Sequence, residues 1–277
     1  MIQAVLEGKS LGYEYMEDML TSVVFGTLKY IQPSTLLIPF IEAAFLYDER
    51  RTTLWEKLKS EGIELRGYRD TGYYFWAYHK TYGEPDLILL FKNHIHGVED
   101  LLLVIEAKFK SNKSGVGDKD QLARYCKAID YNNIEDFSEP ELTSFKGKRG
   151  YIIYLTESIA SSEIDESERI IVNSSYGKNK IFHLRWHQLY HTYEKMQHYF
   201  STKVEEAIVY DLMEFMENLG LRDFSGISPP PDSLISELSR PFPIFYFENN
   251  VMNDKATYFD YTSSFSFMSE DIIFYGG

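Results

Sequence analysis

The 277-residue chain has a single cysteine and lacks any apolar run of membrane-spanning length. One cysteine, Cys126, excludes an internal disulfide and agrees with a reducing compartment. A membrane helix needs roughly 20 consecutive apolar residues, and the N-terminus also lacks a basic segment followed by an apolar one. These absences predict a cytoplasmic protein without a membrane span.

Basic residues are scarce as well, since 28 Lys and Arg stand against 42 Asp and Glu, a net charge of −14. Such a charge opposes a protein that coats nucleic acid through a general basic surface. The acidity is uneven, because residues 204–277 hold thirteen Asp and Glu against three Lys and Arg. Over residues 108–127, six Lys and Arg outnumber two Asp, so this stretch is locally basic.

The hydrophobic pattern of the first 160 residues predicts an α/β fold. Apolar residues three and four apart predict a helix over 13–31 and a helical region after Pro33, with a break near Pro39. Three runs of strand length then predict a meander: "RGYRDTGYYFWAYHK", "EPDLILLF" and "LLLVIEAKF". A Gly-containing loop leads to the amphipathic "DQLARYCKAI" and the strand "GYIIYLTES". The predicted order is helices, three strands, helix, strand.

The remaining residues predict a C-terminal extension. "KIFHLRWHQLYHTYEKMQHYFS" and "KVEEAIVYDLMEFMENLGL" are typical of helices, and a short strand can precede the first. "SGISPPPDS" is a loop and the best candidate boundary in the chain, and the aromatic tail after it predicts a small β appendage. We therefore divide the chain into a core, 1–160, and a helical extension with a β appendage, 161–277.

Two neighbouring strands of the meander carry acidic residues in a defined register. A hairpin that turns at "KNHIHGVED" centres on His96, and Asp86 and Glu106 each lie ten residues from it. Residues that pair in this way project from the same face of the sheet. Lys108, two residues beyond Glu106, lies on that face as well. Two carboxylates and an ammonium are therefore predicted to converge.

Buried like charges require positive compensation, and a divalent cation with oxygen ligands is the simplest source of it. Mg²⁺ typically takes one or two protein carboxylates and leaves its other positions to waters and a phosphate. It can lower the pKa of a bound water and stabilise charge on a phosphodiester, while a lysine positions or deprotonates that water. The pattern predicts hydrolytic phosphodiester chemistry.

At these residues the sequence resembles the PD-(D/E)XK nuclease superfamily. "EPD" and "EAK" supply the motif that names the superfamily, and "QLARY" matches the Q-x-x-x-Y helix of its RecB-like branch. An acidic residue of the N-terminal helix, in "EDMLTS", is a further element. The match covers roughly residues 13–160. It implies a restriction-endonuclease-like αβββαβ core, in which helices flank a mixed central sheet.

The resemblance also implies a set of roles. The implied metal ligands are Glu17, Asp86, Glu106 and the carbonyl of Ala107. The implied catalytic residues are Asp86, Glu106, Lys108, which aligns the attacking water, and Gln121 with Tyr125, which support the substrate or the metal. The implied cofactor is Mg²⁺, with Mn²⁺ as a substitute. The implied activity is cleavage of DNA in a bacterial or phage-related setting such as restriction, antiviral defence or repair.

Several of these residues have a purely structural alternative. Glu14 and Asp18 neighbour Glu17, and any of the three can belong to a solvated helix face. Gln121 and Tyr125 can be an amide near a helix start and a half-buried ring. Four basic side chains contact the phosphate backbone or lie exposed, with contact favoured for the first: Lys110, Lys113, Lys119 and Arg124.

Other functions also remain open. His183, His187 and His191 recur every four residues on a predicted helix and could hold Zn²⁺, although a half-exposed helix stripe is favoured. RNA can replace DNA as the substrate, and the fold can serve as a binding or assembly module instead of an enzyme. The aromatic tail can stack on bases or, as we favour, pack on itself or a protein partner. A homodimer that cuts both strands is a further alternative.

Overall fold

The computed structural model describes residues 16–68, 70–93, 99–111, 113, 115, 117–130, 137–143, 149–173 and 179–222. The chain divides into two compact units, Met1–Asp223 and Phe224–Gly277. All described residues belong to the first unit. The predicted β appendage, the "SGISPPPDS" boundary, the hairpin tip around His96 and Glu14 lie outside the described residues. The division at residue 160 stays a prediction.

The described elements form an α/β fold with the predicted order. The strands are β1 (Asp70–Phe75), β2 (Leu87–Lys92), β3 (Leu101–Ala107), β4 (Arg149–Thr156) and β5 (Ile181–Arg185). The helices are α1 (Met16–Leu28), α2 (Leu37–Glu42), α3 (Leu54–Ser60), α4 (Gln121–Asp130), α5 (Pro140–Thr143), α6 (Ser161–Asn173), α7 (His187–Met196) and α8 (Lys203–Asn218). The predicted αβββαβ core is therefore confirmed as α1, β1–β3, α4 and β4. None of the helices described is both long and apolar enough to cross a membrane.

The sheet is five-stranded and mixed, in the order β1-β2-β3-β4-β5. The first three strands form an antiparallel meander, and β3, β4 and β5 are parallel. Helices α1, α2, α3, α7 and α8 pack on one face, and α4, α5 and α6 on the other. Because both faces are covered, β2 and β3 read as continuous apolar runs and are buried along nearly their whole length.

The register of the central hairpin is the predicted one. Leu87 pairs with Ile105 and Ile88 with Val104, so paired residue numbers are symmetric about position 96. The next pair in this register is Asp86 and Glu106, at the point where β2 begins and β3 ends. The strand pairing thus brings the two acidic residues to one end of the sheet.

The helix break predicted near Pro39 is not present. Pro39 lies in the first turn of α2, which begins at Leu37, and a proline there removes no intrahelical hydrogen bond. The helical region ends instead at Glu42, and α3 begins after Thr53, whose side chain forms a capping box with Glu56. The predicted long helix is therefore two short ones.

The predicted histidine ladder is wrong, because His183 lies in β5 whereas His187 and His191 lie in α7. His183 is fully buried and hydrogen-bonded through both ring nitrogens, to the hydroxyls of Tyr47 and Thr156, each at 2.8 Å. Burial lowers the pKa of His183 to about 4, so the ring is neutral at pH 7. The three side chains therefore do not share a helix face that could bind zinc.

Candidate active site

Asp86, Glu106 and Lys108 lie together at the end of the sheet where β3 stops. All three are buried, with exposed fractions of 7%, 1% and 6%. The backbone N–H of Ala107 donates to Asp86 Oδ2 at 2.8 Å, which fixes the Asp86 carboxylate beside Glu106. The convergence predicted from the hairpin register is therefore present in the structure.

The ammonium of Lys108 is surrounded by oxygen atoms. Its Nζ donates to Glu106 Oε1 at 2.7 Å, to Glu17 Oε1 at 2.8 Å and to the carbonyl oxygen of Ala107 at 3.0 Å. The backbone of Lys108 is held as well, because the indole Nε1 of Trp186 donates to its carbonyl at 3.1 Å. A buried charge is tolerated when it is paired and hydrogen-bonded in this way.

Glu17 is the N-terminal acid that contacts this cluster. It lies in the first turn of α1, and besides Lys108 its carboxylate accepts from the N–H of Phe109 at 3.2 Å and from the hydroxyl of Ser111. Asp18 acts at longer range and contributes to the raised pKa of Asp86. Glu17 thus ties the start of α1 to the segment that follows β3.

Burial and charge perturb each ionisable group of the cluster. Burial raises the pKa of Asp86 to about 7, against the opposing effects of Lys108 and the Ala107 N–H. Burial and the Asp86 carboxylate raise the pKa of Glu106 well above its usual range. Burial alone would lower the pKa of Lys108, but the carboxylates of Glu106, Asp86 and Glu17 outweigh it and raise this pKa. Lys108 is therefore held in its charged form.

Gln121 and Tyr125 lie one turn apart on α4, as predicted. Gln121 Nε2 donates to the Tyr125 hydroxyl at 2.9 Å. Tyr125 is buried, and burial together with the charge of Glu106 raises its pKa. The predicted alternative of a half-buried ring is wrong for Tyr125, whose exposed fraction is 1%.

Two buried oxygens of the site lack a hydrogen-bond partner among the described residues: Glu106 Oε2 and Gln121 Oε1. Buried polar atoms are normally satisfied, so an orphaned carboxylate oxygen is an exception that needs an explanation, and a bound cation is one. Within the described part of the chain, no cluster of three or more His, Cys, Asp or Glu side chains is arranged to hold a metal ion. Mg²⁺ needs one or two protein carboxylates, so Asp86 and Glu106 with the Ala107 carbonyl fit its chemistry.

A cavity of about 320 Å³ opens beside Lys108. Its walls come from the segment after β3, from the end of β4 and from the start of α6: Lys108, Lys110, Ser111, Tyr154, Thr156, Glu157, Ser158, Ile159, Ala160, Ser162 and Glu163. Lys110 is exposed here and Ile159 is 70% exposed. Lys108 is the member of the acidic cluster that lines this cavity.

The predicted exposed position of Lys113 is wrong. Its side chain is 4% exposed and its ammonium pairs with Asp120 at 2.5 Å. The residues that hold it, Asp120 and Ser167, were not singled out in the sequence. Asp120 did leave a signal, since an Asp directly before an amphipathic helix is a typical N-terminal cap.

Comparisons with known proteins add little to this geometry. No protein-family model matches the chain, and no curated protein matches it. Among solved structures, the chain is similar to the MspJI restriction endonuclease in complex with a 27-mer oligonucleotide, at 14% identity and a TM-score of 0.26. The match covers 66% of this chain and 33% of that chain, so this chain spans about a third of the endonuclease's length. A TM-score this low adds nothing to the fold that the element order defines.

Proposed function

We propose that the protein is a metal-dependent nuclease that hydrolyses phosphodiester bonds of DNA. The observation that supports this proposal best is the convergence of Asp86, Glu106 and Lys108 in one buried cluster, with Glu106 Oε2 unpartnered among the described residues. A purely structural ion pair needs one carboxylate for one ammonium. Here three carboxylates, those of Glu17, Asp86 and Glu106, face Lys108, and this excess of negative charge suits a divalent cation.

In this proposal Asp86, Glu106 and the carbonyl of Ala107 hold Mg²⁺, with Glu17 as a further ligand or as the partner that positions Lys108. When bound, the cation would lower the pKa of a water and offset the charge that develops on the scissile phosphate. The protein's own contribution is to keep these oxygens fixed before substrate arrives, through the Ala107 N–H and the strand pairing.

Lys108 would orient the attacking water and donate to a non-bridging phosphate oxygen. Its raised pKa favours this role over that of a general base, because an ammonium has no lone pair to accept a proton. The water oxygen forms the new bond to phosphorus, the bond to the leaving sugar oxygen breaks, and solvent supplies and removes the protons. Gln121 and Tyr125 would restrain Glu106 from the side of α4.

Purified full-length protein is expected to cut labelled DNA in the presence of Mg²⁺ or Mn²⁺ and to stop when EDTA is added. Single-stranded and duplex forms of DNA and RNA, tested side by side, separate the proposed substrate from RNA. Cleavage that persists in excess EDTA would contradict metal dependence. A protein that cuts none of the four substrates and gains no stability from Mg²⁺ would instead be a binding or assembly module.

A further inference from the structure

A second buried ion pair joins Lys113, in the segment after β3, to Asp120, the residue before α4. Lys113 Nζ donates to Asp120 Oδ2 at 2.5 Å, to Ser167 Oγ at 3.0 Å, to the carbonyl of Glu163 at 3.1 Å and to Glu166 Oε2 at 3.2 Å. Asp120 and Ser167 are fully buried. The ammonium therefore joins the segment after β3 to the start of α4 and to the middle of α6.

Asp120 carries this link into α4. Its Oδ1 accepts from the N–H of Ala123 at 2.9 Å, which caps the helix, and the Ser167 hydroxyl also contacts both carboxylate oxygens, at 2.9 and 3.0 Å. Gln121 is the next residue, and its amide holds the Tyr125 hydroxyl. The position of the Asp120 carboxylate thus sets the first turn of α4 and with it Gln121, which lies one turn before Tyr125.

Glu163 carries the link by a second route. Its Oε2 accepts from the hydroxyl of Tyr154 at 2.5 Å, and Tyr154 is the residue of β4 that pairs with Glu106 in the sheet. Burial is the main cause of the raised pKa of both Tyr154 and Tyr125, and the charge of Glu106 adds to it in each case. Both phenols lie in the buried cluster on one face of the sheet. Tyr125 is linked to Lys113 through Gln121 and Asp120, and Tyr154 through Glu163, whose Oε1 accepts from the backbone N–H of Lys113 at 3.4 Å.

Gly115 lies close to the backbone of Lys119. Gly115 adopts φ +80°, and a Cβ at this position would lie 2.0 Å from the carbonyl oxygen of Lys119. Only glycine fits such a contact. A side chain at position 115 would therefore displace the backbone of Lys119, the residue directly before Asp120.

We propose that Lys113 is a positioning residue for the reaction assigned above: its contact with Asp120 sets the Gln121–Tyr125 pair against Glu106. This inference rests on the proposed function. A buried ion pair adds little net stability over apolar residues of the same size, but it specifies geometry when every donor is satisfied. Lys113 has four oxygen partners; of the two nearest side chains, Asp120 caps the start of α4 and Ser167 lies in α6.

The test compares Lys113→Met with the conservative Lys113→Arg in the 277-residue protein, and uses Lys195→Met, at an exposed position of α7, as a control. Lys113→Met is expected to lower kcat about 10- to 100-fold with little change in KM. Lys113→Arg is expected to keep much of the wild-type kcat, because arginine retains the positive charge. Asp120→Asn keeps a capping oxygen but loses the charge, so it provides a second variant if Lys113→Met does not fold.

A double-mutant cycle shows whether Lys113 acts through α4. Lys113→Met and Tyr125→Phe are expected to be non-additive in kcat, and amide hydrogen exchange over residues 121–125 is expected to accelerate in Lys113→Met. The positioning role would be overturned if the wild type is active and Lys113→Met leaves kcat unchanged. It would also be overturned if the effects of Lys113→Met and Tyr125→Phe on kcat are additive. A wild type that cuts nothing instead overturns the nuclease assignment, and unchanged exchange over 121–125 then overturns the role of Lys113 as well.

Discussion

Replacing Glu106 by glutamine is expected to lower DNA cleavage at least about 10³-fold while making the metal-free protein more stable. Glutamine keeps the size of the side chain but removes the negative charge. In the wild type, Glu106 Oε1 accepts from Lys108, and Oε2 has no hydrogen-bond partner among the described residues. Without a cation that carboxylate is costly to the fold, because burial and Asp86 raise its pKa. Lys108 keeps Glu17 as a partner in the variant.

The sign of the stability change follows from the raised pKa of Glu106. A carboxyl whose pKa is higher in the folded state favours folding at low pH and loses that contribution as pH rises through the folded pKa. Glutamine does not titrate, so Glu106→Gln should be more stable than wild type by about 1–3 kcal/mol at neutral pH in EDTA. Urea unfolding and a cleavage assay on the same preparations measure the two effects.

A matched control for this substitution is Glu214→Gln, on the exposed face of α8. It is expected to change neither cleavage nor stability by a measurable amount. If Glu106→Gln retained wild-type cleavage, the carboxylate would have no part in the reaction. If it lost both cleavage and stability, Glu106 would be a structural ion-pair partner of Lys108.

Removing the ammonium should have the opposite effect on stability. Lys108→Met is expected to destabilise the metal-free protein by about 3–5 kcal/mol near neutral pH, because it leaves buried carboxylates without their cation. In the wild type, Lys108 lowers the pKa values of Asp86 and Glu106, so these two pKa values are expected to rise further in the variant. Cleavage should be lost as well, by about 10²- to 10⁴-fold.

The destabilisation by Lys108→Met should depend on pH. The pKa of Asp86 is already raised to about 7, so its carboxyl favours folding at low pH and loses this contribution as pH rises through that value. The loss of stability should therefore be small at about pH 5 and largest at about pH 8. Urea unfolding in EDTA at both pH values measures it, with the exposed Lys195→Met as the control. A loss of equal size at both pH values would show that Lys108 acts only through packing.

The central hairpin could be predicted from the sequence because its register depends on local information. Two apolar strands of similar length and one loop fix which residues are opposite, and this places Asp86 beside Glu106. The helix that carries Gln121 and Tyr125 was equally accessible, since its spacing is periodic. These predictions required no knowledge of how distant parts of the chain pack.

Other features depended on packing that the sequence does not display. Lys113 is buried only because α6 brings Ser167 and Glu166 to it from more than 50 residues away. His183 fits a helical spacing with His187, but pairing with β4 makes its segment a strand. Short elements of this kind are decided by their tertiary neighbours.

We propose that Asp86, Glu106 and the Ala107 carbonyl bind a divalent cation. Crystals of the 277-residue protein grown with Mn²⁺ and measured at the manganese absorption edge test this binding. We expect an anomalous peak about 2 Å from oxygens of all three residues, with the Lys108 ammonium moved away from the Ala107 carbonyl. Well-diffracting crystals without a peak at these oxygens, in which Lys108 still contacts Glu106 and Ala107, would contradict it.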